Sequence, residues 1–543
     1  MELVVLRFDK PSKLDINGGE FGKVAPNLKG MYNEEITAGI EYDVGADIVV
    51  GANYVHRTLG RIVEDVSPDG GHSYIIANPG VKPDPARLAA WHELDRAHLV
   101  HPVASWRGHE KAGVRVLASA EGATVTDATG RKLLDGFAGL WCVNAGYGQR
   151  SVIEAATRQL ETLPYATGYF SLGSEPAIRL AARLADLAPG DLRHVYFTLG
   201  GSDAVDSTVR FVRYYWNARG KPGKDQFISL EQGYHGSSTV GAGLTALPVF
   251  HAVFGVPYDW QHKIPSHYAY RNPVGQDPAA IIEASKAQLL AKVAELGGPE
   301  RVGAFYAEPI QGSGGVLVPP DGWLRAMREL CREMDILFVA DEVITGFGRT
   351  GPLFACTEDG VEPDLMTTAK GLTSGYVPMG AVLMSAKVYD VIADHAGAAA
   401  VGHGYTYSAH PVSAAVGLAV LDLYENGLLA NGRAMGERLM AGLRSLADHP
   451  LVGDVRGRGM LAAIELVTDK AAKTPLPAAA APAQRVFDRA WENGLIVRAF
   501  GNGVIGYAPP LCCTAEEIDQ IVERTRMTLD QTLEDPAVRS AMR

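Results

Sequence analysis

The chain reads as an α/β protein: a mostly parallel central sheet, a smaller α+β region after it, and a β-rich extension before it. Three observations predict this. Between about residues 155 and 425, strand-like runs alternate with helical patterns. The strand candidates are mainly apolar runs without polar alternation, as a sheet covered on both faces favours. The first 90 residues instead carry short β-prone runs, 48–50 and 74–76, broken by Gly, Asp, Asn and Pro.

Taken in order, Pro79, Pro83 and Pro85 mark the junction after the extension. A helical pattern starts near Leu88 and leads into His101-Pro102-Val103. Two short strands, 114–118 and 123–127, with a turn at Gly130, predict a small antiparallel unit. The main region follows: helix 175–187, strand 194–198, helix 203–219, and strands 226–229, 302–307 and 336–340. After 426, strands 460–466 and 495–498 mix with helices, and the Ala/Pro stretch 475–482 predicts a surface loop. The expected divisions are an N-terminal extension (1–90), the first part of a small domain (91–155), a large domain (156–425) and the rest of the small domain (426–543).

Composition excludes several classes. With 543 residues, 47% hydrophobic and 21% charged, the chain can build large cores. Its net charge of −12 argues against nucleic-acid binding. The extension alone has 13 acids and nine bases, a net −4, and is no better suited to DNA. Five cysteines in no CxxC pair suggest neither a zinc site nor a disulfide framework, so no metal is expected. Adjacent Cys512 and Cys513 are expected as packed, reduced thiols. The first residues lack a basic segment followed by a long apolar core, and no run approaches the roughly 18 apolar residues that span a bilayer. The expected location is therefore the cytoplasm, with no membrane partner.

The most informative segment runs from the apolar strand 336–340 into Asp341-Glu342-Val343, and on to Thr367-Thr368-Ala369-Lys370-Gly371. A lone loop lysine is usually a surface charge. An acid leaving a buried strand, followed by a lysine among small residues, instead suits a pyridoxal 5'-phosphate site. The amine of Lys370 can form a Schiff base with the cofactor aldehyde, and Asp341 can keep the pyridine nitrogen protonated. Leu199-Gly200-Gly201-Ser202-Asp203 links a strand to a helix, where free N–H groups bind anions.

Five further segments resemble the class III (ω-) aminotransferases, fold type I enzymes that use pyridoxal phosphate. They are Leu140 to Gly148, Gly233-Tyr234-His235-Gly236, Glu308 to Gly312, Asp341 to Arg349, and Tyr405 to Pro411. The resemblance covers about 94–530. It implies that Lys370 carries the cofactor and shuttles the proton, and that Asp341 pairs with the ring nitrogen. Val343 would pack on one ring face and Tyr234 on the other, with His235 and Glu308 supporting by hydrogen bonds. Gly200, Gly201 and Ser202 would hold the phosphate, although the family usually has serine at the position of Gly200. Thr406 would reach the phosphate of a neighbouring subunit, making a homodimer or a dimer of dimers. Trp141, Tyr165 and Tyr234 would line the substrate pocket, and Arg498 would bind a keto-acid carboxylate bidentately.

The implied reaction moves an amino group from a primary amine to pyruvate: a diamine, an ω-amino acid or an aryl-alkyl amine. The alternatives are another fold type I activity (racemase, aminomutase, decarboxylating transaminase, or an ω-aminotransferase using 2-oxoglutarate) and a cofactor-binding scaffold or regulator. The extension is expected to be an arm that packs on a neighbouring subunit.

Overall fold

A computed structural model describes residues 33–45, 48–59, 64–66, 75–77 and 85–542. They divide into two compact units, one of residues up to 119 with 126–131, the other of 120–125 and 132 onward. In the first unit, strands Asn33–Gly45 and Ile48–Leu59 pair antiparallel, as do Glu64–Val66 and Ile75–Ala77. The extension is thus β-rich, as its composition predicts. Helices α1 (Pro85–His98) and α2 (Trp106–Ala112) follow. Ser105 caps α2 by accepting from the Gly108 N–H, and Gly113 ends it at φ 78°. Leaving that helix uses up residues 114–116, so the strand expected at 114–118 begins later, at Leu117–Glu121.

The second unit is built on seven strands: β1 (His194–Thr198), β2 (Gln226–Leu230), β3 (Gln261–Ile264), β4 (Val302–Ala307), β5 (Leu337–Asp341), β6 (Leu365–Thr368) and β7 (Gly380–Met384). Their order is β3-β2-β4-β5-β6-β7-β1. All run parallel except β7, which is antiparallel to both neighbours. Side chains alternate between the faces of a strand. In β5, Phe338 and Ala340 enter one core, and Leu337 and Val339 enter another. In β4, Phe305 and Ala307 join the first core, and Ala304 and Tyr306 the second. Both faces are therefore dry, which is why these strands carry no polar alternation. The second core is capped by α3 (Gly201–Ala218), through Val205, Val209, Val212 and Trp216.

A smaller antiparallel sheet holds β8 (Val452–Arg458), β9 (Leu461–Asp469), β10 (Arg498–Ala499) and β11 (Val504–Tyr507), in the order β8-β9-β11-β10. The expected loop 475–482 is more structured than predicted. Leu476 and Ala480 are buried, and Pro482 opens helix Pro482–Glu492, where its missing N–H is no cost. The helical run Pro411–Arg444 is long and apolar enough to cross a membrane by composition alone, at a mean hydropathy of 1.3. Its first helix, α4 (Pro411–Leu423), has eight of 13 residues buried and packs on helices Arg150–Thr162 and Glu175–Leu187. That burial reads as a core helix. All five cysteines are unpaired, and Cys513 is buried.

Arg349 pins distant segments of this unit together. Its fully buried guanidinium donates to Asn144 Oδ1 at 2.6 Å and to the Pro509 carbonyl at 2.5 Å. Asn144 in turn donates to the Phe347 carbonyl at 3.0 Å. Burial without a carboxylate partner pulls the Arg349 pKa down to about 10. Truncation would strand these acceptors in a dry site. Arg349→Ala is expected to cost on the order of 3 kcal/mol of stability, read as a lower urea midpoint at unchanged slope.

Candidate active site

Five parallel strands release the chain along one edge of the main sheet, and each delivers residues singled out by sequence. Such carboxyl-end edges are where open α/β sheets bind ligands. β1 leads to Gly200-Gly201-Ser202, β2 to Tyr234-His235, β4 to Glu308, and β6 to Lys370, while Asp341 is the last residue of β5.

Asp341 shares the parity of Leu337 and Val339, so its side chain lies on the face that α3 covers. It is 3% exposed. Its Oδ2 lies 2.7 Å from His235 Nδ1, and its Oδ1 accepts from Thr367 Oγ1 at 3.1 Å and from the Val343 N–H at 3.2 Å. A carboxylate has about four acceptor sites, so one remains for a further donor. His235 is itself fixed by its N–H to Thr245 Oγ1 at 2.8 Å.

Glu308 pairs with no core cation in this cluster. Its two oxygens accept the backbone N–H groups of Tyr234 (2.8 Å) and Gly312 (3.0 Å), tying the segments after β2 and β4 together. Burial pushes its pKa up to about 7. The ring of Tyr234 meets Phe250 edge-on at 5.3 Å.

Lys370 occupies φ 43°, a left-handed conformation uncommon for a residue with a Cβ. Enclosure of its amine lowers the pKa, and the nearby charges of Cys142, Asp341 and Glu308 only partly oppose this. The amine lies 5.8 Å from the Trp141 ring centroid. Trp141 is 3% exposed, and its indole N–H has no hydrogen-bond partner. The neighbouring Thr368 hydroxyl is also buried and unpartnered. An indole N–H left unpaired near the lysine amine marks a place able to receive a polar acceptor.

At the start of α3, Gly200 precedes the helix in extended backbone. The first N–H groups of a helix have no partner within it. A Cβ on Gly201 would stand 2.8 Å from Val343 Cγ1, so this glycine lets the α3 terminus close on the segment after Asp341. Ser202 Oγ accepts from the Ser237 N–H at 3.1 Å.

The remaining predicted residues are more scattered. Trp141 packs on Phe500 at 6.3 Å, and the guanidinium of Arg498, a residue exposed as a whole, lies 5.5 Å over that same ring. Two rings thus connect Arg498 to the lysine amine. Thr406 is exposed, and its carbonyl accepts from Tyr165 OH at 3.0 Å. Tyr165 is 40% exposed and packs on Tyr407 and His410, not on the Lys370 cluster. Sequence reasoning passed over Thr367 and Thr245, which position Asp341 and His235. Thr367 was visible as the first of two threonines that end a strand just before the lysine.

Residues 107–529 match the family model described as aminotransferase class-III. A putrescine–pyruvate aminotransferase of Pseudomonas aeruginosa is 40% identical over 449 residues, 82% of this chain and 97% of that one. A diaminobutyrate–2-oxoglutarate transaminase of Halomonas elongata is 39% identical over 430 residues, 78% of this chain and 92% of that one. The ω-transaminase of Pseudomonas jessenii, solved in complex with PMP, superposes with a TM-score of 0.80 at 38% identity, covering 82% of this chain and 98% of that one. The lysine, the carboxylate and the glycine-opened helix thus stand in the fold of a known enzyme group: this chain belongs to the class-III aminotransferases, whose cofactor is pyridoxal 5'-phosphate.

Proposed function

We propose that the chain transfers the amino group of a primary amine to pyruvate, with Lys370 and Asp341 as its central residues. One observation carries this reading. A lysine with a lowered pKa, a carboxylate fixed by three donors, and an anion-ready helix terminus all leave the same edge of one parallel sheet.

The residues present fit the cofactor. The α3 terminus, opened by Gly200 and Gly201, would hold the phosphate, and Ser202 still has its hydroxyl proton to donate. Asp341 has an acceptor site left for a protonated ring nitrogen, and His235 keeps that carboxylate oriented. Val343, beside Gly201, and Tyr234 would flank the ring. Trp141 offers an unpaired indole N–H near the Lys370 amine. When bound, pyridoxal phosphate supplies an aldehyde that reacts reversibly with amines and a ring that draws electrons from the carbon beside the nitrogen.

The chain's own residues do the rest. Enclosure favours the neutral form of the Lys370 amine, the form that acts as nucleophile and then as base. Its Nζ removes the proton from the amine-bearing carbon of the donor and returns one to the acceptor carbon in the second half-reaction. Buried Trp141 and Phe500 keep water from that amine. Arg498, exposed above Phe500, would pair with the pyruvate carboxylate and swing out when a donor without a carboxylate enters. The apolar wall, with no second arginine matching an α-carboxylate clamp among the described residues, favours donors whose amine lies away from any carboxylate, such as diamines.

A dimer is part of this proposal. Thr406 is exposed in its own chain and would complete the phosphate site of a partner. The N-terminal extension would pack on that neighbour as an arm, and the enzyme would work in the cytoplasm. The 39% identical relative named for 2-oxoglutarate makes that acceptor the alternative to test.

A panel of diamines, ω-amino acids and aryl-alkyl amines, each offered pyruvate or 2-oxoglutarate, is expected to yield alanine rather than glutamate. Glutamate as the main product would reject the proposed acceptor. Lys370→Ala should abolish turnover, on the order of 10³-fold or more, while the protein stays folded. Borohydride should fix cofactor mass to the Lys370 peptide in wild type only. Arg498→Ala is expected to raise KM for pyruvate at least about tenfold, with little change in the amine half-reaction measured in single turnover. Equal loss in both halves would remove Arg498 from acceptor binding. Deletion of 1–85 should lower the number of subunits in solution or the melting temperature; an unchanged subunit number and melting temperature would rule out the arm.

A further inference from the structure

The first unit contains a cluster that the aminotransferase chemistry does not use. Asp95 lies on α1, His101 on the turn that follows, and His109 on α2. The Asp95 carboxylate faces both rings: Oδ1 is 2.7 Å from His101 Nε2, and Oδ2 is 2.6 Å from His109 Nε2. The two imidazoles lie side by side, with centroids 4.0 Å apart and planes at 42°. The three ligand-type atoms fall within 4.8 Å of one another. The side chains are only partly open to solvent, 9% for Asp95, 26% for His101 and 18% for His109. The turn is anchored independently, since Trp106 Nε1 donates to the His101 carbonyl at 3.1 Å and Ser105 caps α2.

We propose that Asp95, His101 and His109 form a binding site for a divalent first-row transition ion, with Zn²⁺ the best match. Two imidazole nitrogens and one carboxylate oxygen are a zinc-type donor set, whereas Mg²⁺ and Ca²⁺ favour all-oxygen sites. Both Nε2 atoms already point at the same carboxylate, so small ring rotations place the three atoms around one ion at about 2.0–2.2 Å. With the ion on Nε2, each ring would carry its remaining proton on Nδ1. A fourth position is left for water. Cysteine spacing is silent about this site, because none of its ligands is a thiolate and they are separated by five and seven residues.

The bound ion would staple α1 to α2 through their connecting turn. The test uses full-length, tag-free holoenzyme stripped with a chelator, dialysed, and titrated with zinc sulfate by calorimetry, with metal content read by mass spectrometry. One zinc per chain is expected. The His101→Gln/His109→Gln double variant should bind at least about 100-fold more weakly, beyond the ~10–100-fold seen when outer partners of a metal site are lost. X-ray absorption of the zinc-loaded wild type should show two imidazoles and oxygen, and this reading stands even if the double variant misfolds. No zinc retained by wild type, binding undiminished in a folded double variant, or a sulfur-rich shell indicating the cysteines would each overturn the proposal.

Discussion

Lys370, proposed as the cofactor-bearing lysine, depends on a turn that its backbone would not choose by itself. Lys370 sits in the left-handed region, and such residues persist only where the surroundings over-determine them. Here they do. The buried hydroxyl of Tyr424 donates to the Gly371 carbonyl at 2.6 Å. A Cβ on Gly371 would come within 2.6 Å of Asn144 Nδ2 and 2.8 Å of Phe347 Cβ, so only glycine lets the turn close onto those groups. Asn144 is the residue gripped by Arg349. The conformation of the lysine is thus anchored, through Gly371 and Asn144, to the pin that joins distant parts of the unit.

The second constraint is how the site's charges are kept apart from water yet satisfied. Asp341 would be costly at the end of a dry strand were it not met by three donors. Glu308, with only two backbone N–H donors, shows the cost directly: burial outweighs those bonds and raises its pKa to about 7. The same low-dielectric surroundings that penalise Glu308 lower the pKa of Lys370. One physical setting therefore favours the neutral form of both the amine and the second acid.

The sheet, its two dry faces and the strands at 194–198 and 302–307 were legible because apolar runs of that length carry little ambiguity. Asp341 and Lys370 were legible because each ends or follows such a run, and a charged residue at that place is unusual. Other features were not. The reversed direction of β7 leaves no mark in composition, because an antiparallel strand buried on both faces is as apolar as a parallel one. Thr245 serves His235 from ten residues away through a turn, and no periodicity reports that. Tyr165 sits with Tyr407 and His410 because its place is set by tertiary packing, which an aromatic residue alone does not predict.

Gly200 shows how a departure from a familiar pattern can be weighed. A Cβ there would meet nothing within 4 Å, and the extended backbone suits any residue. No crowding therefore demands glycine. What is missing is one hydroxyl donor, about 1.5–3 kcal/mol when the acceptor is charged. What remains is the helix terminus and Ser202, whose oxygen is already engaged by the Ser237 N–H and whose proton is thereby left to point elsewhere. Gly236 permits that engagement, since a Cβ on it would stand 2.8 Å from Ser202 Oγ. Gly380 permits the other approach: its Cβ would meet the Gly200 carbonyl at 2.4 Å. The cradle is therefore shaped mainly by backbone closeness at Gly201, Gly236 and Gly380, and a single lost hydroxyl changes its strength rather than its form.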